Sequence, residues 1–150
     1  KMYKGNHLFD SLVSDDQRGR VLFSFNPVRA DEYEELIDGA DVGIAFYLPC
    51  WVPESYKNIE TVGLSSGKVA YYLHAGLPVI VNTATTLSDN ICEGRCGISV
   101  SSSSEIAGAL SKIESNYEFY SNHACKYFNT EWNFAEKFHN VIHKLHSRSP

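Results

Sequence analysis

A short segment carries most of the chemical interest in this chain. Gly63-Leu-Ser-Ser-Gly-Lys68 leads from a long loop into a helix start near Gly67. Such a segment offers free backbone N–H groups, two hydroxyls (Ser65 and Ser66) and the positive end of a helix dipole to a phosphate or a sugar hydroxyl. Lys68 sharpens the case, because a cation in the first helical turn opposes the dipole unless an anion sits beside it. The plainer alternative is a capped helix start with a solvated lysine, since Ser-Ser-Gly before a helix is common. The segment is not a Walker loop: Gly63 and Gly67 stand four apart rather than five, and Val69 follows the lysine where Ser or Thr is required. Tyr47, Trp51, Tyr56, Tyr71 and Tyr72 flank this region. Tyr72 shares an apolar helix face with Val69 and is expected to pack, which leaves Tyr71 as the better ligand candidate.

The other reactive residue types point to less. Cys50, Cys92, Cys96 and Cys125 do not form a disulfide scaffold, and the Cys92/Cys96 spacing lacks the second pair of a zinc site. Buried or half-buried thiols in a reducing compartment are the expectation. His139, His143 and His146 share one helical face without a Glu or Cys partner, so a solvated face is favoured over a metal site. With 18 acidic against 13 basic residues and a net charge of -5, the chain lacks the basic face of a mainly electrostatic nucleic-acid binder. No apolar run reaches the roughly 20 residues of a membrane span, and no secretory signal opens the chain.

Several elements must position the segment. At 150 residues and 43% hydrophobic, the chain fits one ordinary domain. Leu8, Phe9, Leu12 and Val13 suit an amphipathic helix ending near Gly19, and Val21-Leu-Phe-Ser-Phe25 reads as a buried strand broken by Asn26-Pro27. A helix from about Ala30 to Ala40 follows, its first turns rich in Asp and Glu. Asp41–Tyr47 is the next strand, and Leu48–Ser66 a long loop, which in a compact domain is usually functional. The helix Gly67–Ala75 stops at Gly76, and the strand Leu77–Val81 comes next. A short helix over Leu87–Cys92, a strand over Gly97–Val100, and a helix with a serine cap carrying Ile106, Ala109, Leu110 and Ile113 continue the chain. A last helix from about Asn133 carries Phe134, Phe138, Val141, Ile142 and Leu145 at helical spacing. Strands alternating with helices mean α/β: a parallel sheet with helices on both faces. Ligands of such sheets bind beyond the carboxyl ends of the strands.

Three stretches carry a resemblance: Ala40-Asp-Val-Gly-Ile-Ala-Phe-Tyr47, Gly67-Lys-Val-Ala-Tyr-Tyr-Leu-His-Ala-Gly-Leu-Pro-Val-Ile80 and Glu93-Gly-Arg-Cys-Gly-Ile-Ser-Val100. Together they resemble the C-terminal, donor-binding half of a GT-B glycosyltransferase of the group 1, family 4-like kind. Trp132-Asn-Phe134 before the last helix resembles that group's C-terminal helix. The similarity runs over roughly residues 20 to 145, and the "AGLPVI" helix is its most specific part. The resemblance implies a Rossmann-like sheet, a nucleotide diphosphate sugar as donor substrate, no cofactor or metal, and an acceptor held by a separate N-terminal domain. Residues 1–150 are then expected to be a single donor-binding domain, a piece of a longer protein, without transferase activity alone. Two family glutamates eight residues apart fall at Gly63 and Tyr71, so both carboxylates are missing.

The expected function is the sugar-nucleotide-binding portion of a glycosyltransferase. It would move a glycosyl unit to a hydroxyl acceptor, a glycan or lipid-linked sugar, in cell-surface glycan assembly. The full-length enzyme would lie in the cytoplasm, at the inner membrane face. The resemblance also implies retention and metal-independent transfer, with helix dipoles and basic residues stabilising the departing diphosphate. Two alternatives stay open: a sugar-nucleotide epimerase of the same fold, and a non-catalytic α/β binding or interaction domain. The expected donor-binding residues are Asn26, Pro27 and Val28 for the base, Gly63, Leu64, Ser65, Ser66, Gly67 and Lys68 for the phosphates and sugar, and Tyr71 for the ribose. No catalytic side chain is assigned.

Overall fold

The computed structural model describes residues 28–47, 59–83 and 86–147. The chain forms two compact units, Lys1–Ala30 and Asp31–Pro150. The expected first helix, the strand Val21–Phe25 and the Asn26-Pro27 break lie outside the described residues, and so does most of the long loop. The sheet and all of its helices belong to the larger unit.

A 3-10 turn, Ala30–Glu32, leads into α1 (Tyr33–Asp38). Then come β1 (Gly43–Ala45), α2 (Gly67–His74), β2 (Val79–Asn82), α3 (Thr86–Glu93), β3 (Gly97–Val100), α4 (Ile106–Glu114), α5 (Tyr117–Tyr127) and α6 (Phe134–His146). The three strands pair in parallel in the order β1-β2-β3, with Gly43 opposite Val79 and Val79 opposite Gly97. The α/β sheet with helices on both faces is therefore as the sequence implied, a partial Rossmann-like arrangement.

Both faces of β2 are buried, which is why Val79-Ile-Val81 is unbroken aliphatic sequence rather than an alternation. Val79 and Val81 point to one side with Ala45. There they meet Val69 and Leu73 of α2, Leu87 and Ile91 of α3, Ala124 of α5, and Trp132. Ile80 points to the other side and joins Val100, Ala109 and Ile113 of α4, and Tyr120 of α5. Crossovers of one hand between adjacent parallel strands put α2 and α3 on a single face, leaving the other to α4.

Several glycines are dictated by close approach. A Cβ at Gly43 would come within 2.3 Å of the Tyr72 ring, so the glycine of the Asp41-Val-Gly43 stretch makes room for that tyrosine. A Cβ at Gly97 would stand 2.0 Å from the Val79 carbonyl oxygen across the sheet. Gly76, at φ 73°, takes the left-handed turn that ends α2.

Three expectations need correction. Strand β1 covers only Gly43–Ala45 of the expected Asp41–Tyr47, and β2 runs over Val79–Asn82 rather than Leu77–Val81, whereas β3 keeps its expected bounds, Gly97–Val100. The helix near Ser101–Ser104 is not capped by a serine accepting from its N–H groups. Glu105 instead accepts from Ser101 N–H at 2.9 Å and Ser101 Oγ at 2.6 Å, which holds its carboxyl below the usual range. Of the cysteines, Cys96 is buried, but Cys92 and Cys125 are exposed. Helix α5 and the π-helical turn Phe128–Trp132 after it are additions that the sequence pattern does not predict.

Asn133 caps α6 by accepting from Glu136 N–H at 3.4 Å. The histidines of α6 are exposed. Phe134, Phe138, Val141 and Leu145 of the same helix are exposed as well, between 52% and 75%. No helix among the described residues is long and apolar enough to cross a membrane.

Candidate functional site

The head of α2 opens beyond the carboxyl ends of β1 and β2, the position where open α/β sheets take ligands. Two side chains build it. Asn82, the last residue of β2, accepts from Tyr47 N–H at 2.9 Å and donates to the Tyr47 carbonyl at 3.0 Å, fixing the chain as it leaves β1. The Tyr47 hydroxyl then shares a 2.5 Å hydrogen bond with Ser66 Oγ. Ser66 is 2% exposed and is the N-cap of α2: its Oγ accepts from Val69 N–H at 3.3 Å and its carbonyl from Ala70 N–H at 3.0 Å. Gly67 and Lys68 contribute the N–H groups that a helix start leaves over.

Among the described residues, nothing lies within 4 Å of where a Cβ at Gly67 would stand. Packing among the described residues therefore does not require glycine there, and those residues leave the helix head open to a close-fitting ligand. A cavity of about 240 Å³ adjoins it. One wall is Leu64, Ser65, Ser66 and Gly67; the other is Glu131, Trp132, Phe134 and Lys137. Lys137 Nζ pairs with Glu131 at 3.1 Å, both side chains half exposed. Trp132 is 8% exposed, its indole N–H buried without an acceptor among the described residues, and Phe134 is 75% exposed. The arrangement can do three things chemically. Backbone N–H groups and the dipole attract an anion, the Phe134 ring offers an apolar plane, and Glu131 can accept from hydroxyls.

The structure brings four of the expected residues, Leu64, Ser65, Ser66 and Gly67, to one cavity. Within it the hydroxyls are partly committed, since Ser65 Oγ donates to the Val62 carbonyl and Ser66 Oγ serves the cap. Gly63 is buried instead in a 3-10 turn at φ 38°, packed beside Thr86 and Asn90. Lys68 points its ammonium over the Tyr47 ring, 5.6 Å from the centroid. That contact answers the dipole penalty without an anion. Tyr71 is separated from the cavity: its exposed ring meets Tyr33 of α1 edge-on at 5.6 Å, and it borders a different hollow with Glu34, Asp38 and His74. Asn26 and Pro27 lie outside the described residues, and Val28 is half-buried within the other unit. Burial, with Tyr47 nearby, pushes the Tyr72 phenol above its ordinary value, in keeping with the packing role expected of it.

Glu131 and Lys137 are site residues that sequence reasoning misses. They reach the cavity only because the π-helical turn packs on α2 and brings the start of α6 beside its head, and nothing local to residues 131–137 announces that.

The model of the glucosyltransferase 3-like C-terminal domain matches residues 54–131, just over half of the chain, and this stretch contains α2, the sheet partners β2 and β3, and one side of the cavity. No curated protein and no solved structure matches the chain. A parallel α/β sheet, a capped helix head at its carboxyl edge and this match together place the chain in the glucosyltransferase 3-like family, through its glycosyltransferase-related C-terminal domain.

Proposed function

We propose that this chain is the donor-binding part of a GT-B type glycosyltransferase, taking a nucleotide diphosphate sugar whose glycosyl unit passes to a hydroxyl acceptor held by another domain. The observation that carries the reading is the head of α2, an N-terminus whose first N–H groups are uncommitted among the described residues, beside a glycine that their packing does not explain. The diphosphate would lie against Gly67 and Lys68, and the sugar in the cavity under Phe134. Glu131 would supply a carboxylate for sugar hydroxyls, a service that neither Gly63 nor Tyr71 can perform. Because the family is named for a glucosyltransferase, a nucleoside diphosphate glucose is the first donor to test. Stabilising the departing diphosphate with dipole and ammonium needs no metal. The role would fall in cytoplasmic glycan assembly.

Calorimetric titration of the chain with nucleoside diphosphates and their glucose conjugates tests this. One base series should bind, and Glu131→Gln should weaken the glucose conjugate about tenfold while leaving the bare diphosphate unchanged. No binding by any member would instead favour a non-catalytic interaction domain. For that second reading, the engaged Ser66 hydroxyl and the Lys68–Tyr47 contact are the supporting observations.

A further inference from the structure

The turn between α3 and β3 contains a strained residue that the head of α2 does not use. Helix α3 ends with Cys96 N–H donating to the Ile91 carbonyl at 3.3 Å and Arg95 N–H to the Cys92 carbonyl at 3.1 Å. This is the Schellman pattern, whose left-handed position is normally glycine. Here it is Arg95, at φ 53°, the only described non-glycine residue with positive φ. An L side chain there crowds the following carbonyl. Glycine is present one residue earlier for another reason: a Cβ at Gly94 would meet the Tyr127 ring at 2.7 Å. Among the described residues nothing offsets the strain, since Arg95 is exposed and forms no ion pair with any of them.

Arg95 borders a cavity of about 410 Å³ with His123, Lys126, Tyr127, Glu93 and Glu131. That volume suits a small molecule. The cavity lies at the amino end of β3, whereas the head of α2 stands at the carboxyl ends of the strands; among the described residues, Glu131 alone borders both cavities. Two cations without carboxylate partners among the described residues, one of them a planar fork, suit a single anionic group. Glu93 and the Glu131 oxygen not engaged by Lys137 are acceptors for hydroxyls. The Tyr127 phenol, pushed up to about 12 by burial and then by Cys96, Glu93 and Glu131, remains a neutral hydroxyl. A bare polyanion would be repelled by the two carboxylates, and a neutral sugar would leave both cations unused.

We infer that this cavity binds a hydroxylated anion of monosaccharide size, a sugar phosphate or a sugar acid, with Arg95 and Lys126 at its charge and Glu93 and Glu131 at its hydroxyls. The test is calorimetric titration of the full chain with glucose 6-phosphate, glucuronate, glucose and inorganic phosphate. At least one of the two anionic sugars should bind, and which of them binds separates phosphate from carboxylate recognition. Glucose and inorganic phosphate should bind at least about tenfold more weakly. Arg95→Gly should raise the unfolding temperature by relieving the strain, yet weaken the anionic sugar at least about tenfold. Lys126→Ala should weaken it similarly and leave nucleoside diphosphate binding unchanged. Absence of binding by both anionic sugars at about 10 mM, binding that survives Arg95→Gly, or equal binding of glucose or inorganic phosphate would each overturn the inference.

Discussion

Replacing Lys68 by alanine removes a charge from the head of α2 and separates a binding role from a structural one. Without a ligand, the ammonium is repelled by the helix dipole, at a cost of about 0.3–1 kcal/mol. It is also attracted to the Tyr47 ring 5.6 Å away, which at an exposed site contributes about 0.5–1 kcal/mol. The two nearly cancel, so Lys68→Ala should shift stability by no more than about 0.5 kcal/mol. With a diphosphate against Gly67, a charge-assisted hydrogen bond contributes about 1.5–3 kcal/mol. Leaving the Tyr47 ring to make that bond gives back part of it. The remaining 1–2 kcal/mol or so predicts a loss of about five- to thirtyfold in nucleoside diphosphate affinity. Urea unfolding supplies the first quantity and calorimetric titration the second, and Lys68→Arg should retain most of the affinity. A stability loss above about 2 kcal/mol with unchanged affinity would refute the reasoning and make Lys68 structural.

Two further outcomes rest on packing and burial. Gly97→Ala should cost more than about 3 kcal/mol or prevent folding, read from denaturation midpoints, because its Cβ would stand 2.0 Å from the Val79 carbonyl between paired strands that cannot separate. The Cys96 thiol is raised from 9.0 to about 12, chiefly by burial, so it stays protonated in the fold while the unfolded chain ionises. Stability present below about pH 9 should therefore fall through the window up to about pH 12, by at most about 1.4 kcal/mol per pH unit; Cys96→Ala should flatten that limb of the stability–pH curve.

Much of the sheet and its helices can be read from local pattern. The aliphatic runs at β1 and β2 and the glycine-bounded α2 are strong local signals, and each locates its element within a few residues. Helix α5 escapes because its buried contacts are few: only Tyr120 and Ala124 are buried, and the face it turns to the cores is mostly tyrosine rather than aliphatic. Ser66 and Gly67 are legible because capping chemistry is local. The far wall of the cavity is not, since Glu131 and Lys137 arrive through tertiary folding. Nor can Gly43 be explained from its own surroundings, because the reason for it is the ring of Tyr72, twenty-nine positions later in the sequence.

Asn82 presents to Tyr47 the same donor and acceptor pair that a peptide group would present. Its side chain thus acts as a surrogate peptide bond, extending the β1–β2 ladder one rung past the point where the backbone stops pairing. Mutational tolerance at this half-buried position is therefore governed by chemistry more than by volume. Aspartate has the right shape but would set a charged acceptor against the Tyr47 carbonyl, serine and threonine offer one oxygen where asparagine uses two separate atoms, and glutamine is a methylene longer. A half-buried polar position at the sheet's end is thereby as exacting about its occupant as one in the core.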